Sequence, residues 1–497
     1  MAERPSALTL TDLVEGLAGS PPPPGIIPRV EIQDSVVDSR LATPGSLFVA
    51  LRGAQTDGHD YVPAAIANGA AAVIVERAPA GAEYQIVDLT RPVPDTWSID
   101  AKRPVCLVVA NSLAALQQAA AHWRRLHPVS VVGITGSVGK TTSKETIATV
   151  LAQRFRTLRS EGNYNNEIGL PLTLLHLTAE HEQVVLEMGM YDLGEIRQLA
   201  EIALPRIGVV TNVGPSHLER LGSLERIAQA KAELPQSLPS AGEGGVCILN
   251  ADDPRVRAMA SQTRARVFTY GLAPDADLWA DEIESMGLAG IHFRIHHRGG
   301  TLAVNLPLLG RHSVHTALSA AAVALAVGES WTEIVTGLLD QPAQLRLFAV
   351  PGPSGSTLLD DTYNASPASS IAALTLLAEL SGRKVAVLGD MYELGSYAEE
   401  GHRLVGRRAR EVVDLVITVG PLGRLVGREA IDAGMSPNAV HMVETNSEAT
   451  SLLQTLIQPG DMVLIKGSRG MKMDEVVAAL ARPRPPVDDP EADRGQS

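Results

Sequence analysis

A strand-like run, VSVVGIT, leads straight into Thr135-Gly136-Ser137-Val138-Gly139-Lys140-Thr141-Thr142, and KETIATVL follows with the look of a helix. Glycines at such a junction let the backbone turn so that several N–H groups aim at one point, and the helix N-terminus adds a favourable dipole. That is the chemistry of a phosphate cradle. Lys140 is placed to reach β- and γ-phosphates, and the Thr141 hydroxyl to serve Mg²⁺. The string departs from the full phosphate-loop pattern at one place: Ile134 stands where a glycine is expected, five residues before Gly139. A glycine-rich turn with a surface lysine is the bland alternative, but GKTT between a strand and a helix predicts nucleotide binding.

Three further residues have chemistry to offer. Glu187 closes the run QVVLEM and is followed by Gly189. A carboxylate at the C-terminal end of a parallel strand faces the crevice where ligands bind, and it suits a hard cation. His217 follows the next strand in TNVGPSHLERLGS, and Lys231 lies in the helical SLERIAQAKAEL. Taken alone, His217 reads as structural, Lys231 as a solvated helix side chain, and Glu187 as an even choice between ligand and exposed strand end.

These residues need a frame, and the remaining sequence supplies one. LFVAL, AAVIVE, CLVVA, VSVVGIT, QVVLEM, IGVVTNV, GVCILN, KVAVLG, LVITVG and MVLIK are short apolar, β-branched runs between Gly, Pro or polar residues, and they predict buried strands. Amphipathic, alanine-rich stretches such as SLAALQQAAAHWRRL lie between many of them, so the fold class is α/β with mostly parallel sheets covered on both faces. Around 275–304 the helical signal disappears, and IHFRIHHRGGTLAVNLP predicts a β-hairpin turning at Gly-Gly. At 497 residues about three domains are expected. HPV at 127–129 can close the first, giving 1–127. Turn residues over 337–356 separate a central 128–343 from a third domain, 344–481. The proline-rich end, 482–497, is expected to be a disordered tail, and Pro21–Pro24 a stiff turn.

Composition narrows the function. The chain has 42 basic and 56 acidic residues, a formal net charge of −14, which argues against non-specific nucleic-acid binding. Cys106 and Cys247 both sit in apolar runs and read as core residues, not as a disulfide or metal site. The first residues lack a signal-peptide pattern, and the longest apolar stretch, 317–327, is too short for a membrane span, so a cytoplasmic protein without a membrane partner is expected.

The motifs GITGSVGKTT (133–142), EMG (187–189), TNVGPSHLE (211–219) and AKAE (230–233) resemble, in order and spacing, the Mur ligases. The resemblance covers nearly the whole chain. GNYNNEIGLPLTLL, DDTYNASPAS, GDMYELG and KGSR resemble the branch of that family that adds D-alanyl-D-alanine, and the diaminopimelate-recognition string DNPR is absent. The resemblance implies an N-terminal UDP-binding domain, a central ATP-binding domain and a C-terminal Rossmann-like domain for the incoming dipeptide. It implies ATP-dependent joining of D-alanyl-D-alanine to UDP-N-acetylmuramoyl-tripeptide through an acyl phosphate; a monomer is the expected state, though the sequence does not fix it. Gly136, Gly139, Lys140, Thr141 and Thr142 would hold ATP phosphates and one Mg²⁺. Glu187 and His217 would serve magnesium, and Lys231 would be carbamylated to do the same. Asn163, Asn165 and Asn166 would lie near the transferred phosphate. Ser39, Arg40, Thr56, Asp57, Gly58 and His59 would face the UDP end. Asp361, Tyr363 and Asn364, with the loosely aligned Arg346, would meet the nucleotide. The family's H-N-V-x-N-A is here His312-Ser313-Val314-His315-Thr316-Ala317, with both asparagines replaced, which leaves adenine contacts to Ser313 or Thr316.

Two other readings stay open. One is a related ligase adding another amino acid, or a folylpolyglutamate synthetase, against which the UDP-type first domain argues. The other is a phosphate-loop protein without ligase activity, which would not need Glu187, His217 and Lys231 together. The identity of the third acceptor residue, diaminopimelate or lysine, is not written in the motifs.

Overall fold

The structure is a computed structural model that describes residues 6–23, 27–53, 56–78, 84–91, 99–216, 218–340 and 348–482. His217, Arg346, part of the Pro21–Pro24 run and nearly all of the expected tail lie outside the described residues. The chain has three α/β domains built on mostly parallel sheets. By compactness it forms two units. One comprises Met1–Val213, Ala228–Trp279 and Thr316–Leu338, the other Gly214–Ile227, Ala280–His315 and Leu339–Ser497.

The first unit holds two parallel sheets. In the N-terminal one, the strands run in the order Ser35–Val36, Leu47–Val49, Ala72–Val75, Val105–Val108, Gln85–Asp88. The second has the order Arg266–Gly271, Val246–Asn250, Ile207–Val210, Ser130–Thr135, Gln183–Glu187, Thr157–Arg159, again all parallel. Its middle strands are buried on both faces, which is why they read as unbroken apolar runs. The helix Ser112–Leu126 follows the last strand of the first sheet. Its Trp123, fully buried, donates from the indole N–H to Leu177 O at 3.1 Å, and Gln117 donates to Glu167 O at 3.1 Å. Arg124 on the same helix is buried too. It donates to Ala203 O, His127 O and Val129 O at 2.8–3.1 Å, so its charge is met by carbonyl dipoles while burial draws its pKa down to about 10.

The second unit contains a six-stranded sheet ordered Phe348–Pro351, Thr357–Asp361, Met462–Lys466, Lys384–Gly389, Leu415–Val419, Val440–Val443, parallel except for its first strand. Apolar clusters cover both of its faces. The expected hairpin is also here, Ile291–His297 against Gly300–Leu306 in antiparallel register. Its turn is displaced by one residue from the expected Gly-Gly. Arg298 and Gly299 occupy it, both at positive φ (47° and 78°), and Gly300 is already in the strand. A two-residue turn matching the strand twist needs positive φ at both positions, and the pairing of His297 with Gly300 fixes which two those are. Cys106 and Cys247 are free and buried, as expected. Among the described residues, no helix is long and apolar enough to cross a membrane.

Candidate active site

The phosphate-type loop joins the strand Ser130–Thr135 to the helix Lys140–Leu151 at the C-terminal edge of the second sheet. Gly136 must be glycine, because a Cβ there would lie 1.9 Å from Thr211 Oγ1. Gly139, at φ +83°, precedes the first helical residue. Lys140 Nζ folds back over the loop and donates to Gly136 O at 2.7 Å and Ser137 O at 3.3 Å. Two residues from the neighbouring strand end brace the loop. Asn212 accepts from Val138 N–H (2.9 Å) and donates to Val138 O (2.8 Å), and the Thr211 hydroxyl donates to the same carbonyl at 2.8 Å. Sequence reading missed this brace, though Thr211 and Asn212 stand in the TNVG string directly after an apolar strand.

Glu187 ends the adjacent strand and is 3% exposed. Its Oε2 accepts from the Thr141 hydroxyl, and its Oε1 from Asn165 Nδ2 at 2.8 Å. Gly189 N–H donates to Asn165 O at 2.8 Å, which fixes the asparagine from its backbone side. Asn166 is spent elsewhere, its Oδ1 capping the helix Gly169–Leu175 by accepting from Gly169 N–H at 2.9 Å. Asn163 is exposed. Thr141 and Glu187 together present hard oxygen donors of the kind that suits Mg²⁺. Among the described residues no three His, Cys, Asp or Glu side chains gather for a metal.

Lys231 is not the solvated side chain that a helix lysine suggests by itself. It is 2% exposed, and its pKa lies well below the ordinary lysine value because burial disfavours the charged form and the Lys140 ammonium repels it. Ile227 and Leu234, four residues before and three after it on the helix Leu224–Ser237, are buried on the same side. Two residues on, Glu233 is 3% exposed, and its carboxylate accepts from Gly194 N–H (2.6 Å) and Arg197 N–H (3.1 Å). It thereby caps the helix Glu195–Ala203, whose own N-cap residue, Gly194, has no side chain to do so.

The N-terminal candidates gather in two places. Arg40 is largely exposed and forks onto Asp38 (Nε–Oδ1 2.9 Å, Nη2–Oδ2 2.6 Å), holding that carboxyl down at about 2. Ser39 is buried, and its carbonyl accepts from Asn68 Nδ2 at 2.9 Å. Thr56 is exposed, with its carbonyl accepting from Gly53 N–H at 2.8 Å. Gly58 must approach closely, since a Cβ would meet the Leu51 backbone at 2.7 Å. His59 is buried: Asp57 Oδ1 takes one ring nitrogen at 2.6 Å, and the other accepts from Glu76 N–H at 2.8 Å. That imidazole spends both nitrogens within the protein and ties the loop to a strand end.

In the second unit, three motifs meet because their strands are neighbours. DDTYNAS, KGSR and GDMYELG follow the adjacent parallel strands Thr357–Asp361, Met462–Lys466 and Lys384–Gly389. Lys466, 2% exposed, pairs with Asp361 (2.7 Å) and donates to Asn364 O (2.8 Å). Arg469 lies 5.7 Å from the centre of the Tyr363 ring. Ser468 Oγ accepts from Tyr392 N–H at 2.8 Å. Behind this cluster, the buried His402 accepts from Met391 N–H at 3.0 Å and donates to Ala398 O at 2.6 Å, so it is neutral and structural. In the divergent string at 312–317, the Ser313 hydroxyl is spent on Leu309 O at 2.7 Å.

Three family models match the chain: Mur ligase family, catalytic domain, over residues 32–124; Mur ligase middle domain, over 134–324; and Mur ligase, glutamate ligase domain, over 346–469. The UDP-N-acetylmuramoyl-tripeptide--D-alanyl-D-alanine ligase of Mycobacterium tuberculosis is 38% identical over 470 residues, covering 89% of this chain and 91% of that protein. A crystal structure of MurF from Acinetobacter baumannii superposes with a TM-score of 0.80 at 32% identity, covering 96% of this chain and 99% of the other. MurF ligase from Thermotoga maritima, in complex with ADP, gives a TM-score of 0.74 at 27% identity, covering 90% and 96%.

Proposed function

The chain belongs to the Mur ligase family, and from that premise we propose that it joins D-alanyl-D-alanine to UDP-N-acetylmuramoyl-tripeptide at the expense of ATP, as a cytoplasmic monomer making a peptidoglycan precursor. The observation that carries the reading is the meeting of Thr141, Glu187 and Asn165 beside the phosphate-type loop, with the buried Lys231, on the helix Leu224–Ser237, near enough for the Lys140 charge to act on it. In this reading residues 1–127 hold the UDP end, 128–343 the ATP and 344–481 the incoming dipeptide.

The chemistry dictates what the site must do. A carboxylate becomes an acyl donor once the γ-phosphoryl group is transferred to it, giving an acyl phosphate and ADP. The dipeptide's neutral amine then attacks the carbonyl, and the tetrahedral intermediate expels phosphate, leaving an amide. Nucleotide and carboxylate are both anionic, so their approach must be offset by fixed positive charge. Lys140 would exchange its loop carbonyls for phosphate oxygens, with the loop N–H groups beside it and Asn212 holding Val138 in place. Glu187 and Thr141 fit a Mg²⁺ ion, which when bound would neutralise charge on the phosphates. Lys231 suits carbamylation, since only a neutral amine adds carbon dioxide and burial favours that form. The product would be an anion beside Lys140 where a neutral amine stood before. His217 belongs to this set by sequence alone.

Phosphate release from ATP with UDP-N-acetylmuramoyl-tripeptide tests the reading. It is expected with D-alanyl-D-alanine and not with D-glutamate, diaminopimelate or lysine. Release with another amine would reassign the substrate, and release with no amine would make the protein an ATPase.

A further inference from the structure

The helix after the phosphate-type loop carries a second lysine that the reaction above does not use. Lys144 lies one turn beyond Lys140, on the side that Ile147, Ala148 and Leu151 also bury, and it is fully buried itself. Packing alone would be served better there by an apolar residue, because an ammonium taken out of water costs several kcal/mol unless its donors are all met. They are met. Lys144 Nζ donates to Ser160 O at 2.6 Å and Gly162 O at 3.2 Å, and lies 2.9 Å from Glu145 Oε1. Glu145 in turn holds Arg159 at 3.0 Å.

Two of those three acceptors are backbone carbonyls of one loop. It leaves the short strand Thr157–Arg159, passes through Gly162 at φ +48° and delivers Asn165 to Glu187. Ser160 also receives Glu187 N–H on its hydroxyl at 3.4 Å and donates its own N–H to Val185 O at 3.1 Å. The contacts close a ring. Thr141 and Lys144, three residues apart on one helix, bind respectively the carboxylate of Glu187 and the loop whose Asn165 binds the other oxygen of that carboxylate.

We propose that Lys144 is a positioning residue: its buried ammonium clamps the loop 160–166 to the phosphate-loop helix, so that Asn165 and Thr141 hold Glu187 in one orientation for phosphoryl transfer. This rests on the ligase reading, and it assigns Lys144 no contact with substrate. Glu187 without the clamp keeps its place on the strand but loses a fixed rotamer, a small displacement of the kind that costs about 10- to 100-fold in rate.

The test is a double-mutant cycle on kcat with Lys144→Met and Asn165→Ala, together with ADP affinity by calorimetry. Lys144→Met keeps the length and apolar stem without the donors. The expected result is unchanged ADP affinity, a kcat reduced about 10- to 100-fold with little change in KM for ATP, and a double variant no slower than the slower single one. If K144M does not fold, Lys144→Gln, which keeps a polar head but cannot span both carbonyls, carries the same cycle. Wild-type kcat in the folded variant, additive losses, or ADP affinity falling in parallel with kcat would overturn the proposal. The wild-type control decides the ligase reading separately, since failure of dipeptide-dependent turnover in the unmutated protein refutes that reading whatever the variants do.

Discussion

Glu329 lies between the helices His312–Ala326 and Trp331–Leu339, 5% exposed, and neither carboxylate oxygen has a hydrogen-bond partner. Burial is the main cause that lifts its pKa from 4.5 to about 7. Glu333 adds to the rise, and Arg154, whose guanidinium donates to Gly328 O at 2.8 Å, opposes it. The folded protein therefore holds a proton on Glu329 that the unfolded chain has released between pH 4.5 and about 7. Where the folded state binds more protons, stability falls as pH rises. The loss starts above the unfolded value, is complete above the folded one, and has an upper bound of about 3 kcal/mol. Some relaxation around an ionised carboxylate is general, so about 1–3 kcal/mol is the working range. Glu329→Gln removes the titration and retains the shape. Thermal melting of both proteins across this pH range is the assay. The variant should match or fall slightly below wild type near pH 5 and exceed it by several degrees near pH 8.5, at roughly 2–4 °C per kcal/mol. A constant difference between the two proteins at all pH values would refute the reasoning, because it would mean that Glu329 keeps its ordinary pKa in the fold.

Three other outcomes follow from the site. Lys231→Ala should lower kcat by on the order of 100-fold or more, and short carboxylates added to the assay should restore part of it; a fully active variant would remove Lys231 from the mechanism. Glu233→Gln can accept only one of the two N–H groups that the carboxylate now takes, so urea unfolding should show a loss of about 1.5–3 kcal/mol; an unchanged midpoint would mean that the helix Glu195–Ala203 does not depend on this cap. Asn212→Ala leaves the Val138 amide without its side-chain partner, and ATP KM should rise about 10-fold for a loss near 1.4 kcal/mol; steady-state kinetics with an unaltered KM would contradict the bracing role.

All ten apolar runs are strands because a parallel strand covered on both faces is apolar at every position. The strands that escaped sequence reading are mostly edges or short pieces. Gln85–Asp88 exposes Ile86 at 55%, and Thr157–Arg159 has only three residues, so neither leaves a hydrophobic signature. The phosphate-type loop was legible since its glycines and lysine are local in sequence. Its braces were not, because Asn212 reaches Val138 across 74 residues and Asn165 reaches Glu187 across 22. Two of the buried lysines left a trace: Lys144 and Lys231 each fall in line with apolar residues at helical spacing, where a solvated side chain does not belong.

The central claim is that ligation passes through an acyl phosphate, and oxygen-18 in the acceptor's terminal carboxylate tests it directly. Phosphoryl transfer to that carboxylate forms a bond to one of its oxygens, and attack by the dipeptide amine releases that oxygen with the phosphate. Mass spectrometry should find one labelled oxygen in each phosphate released, matched by product that has lost one. Unlabelled phosphate accompanying amide formation would contradict the account.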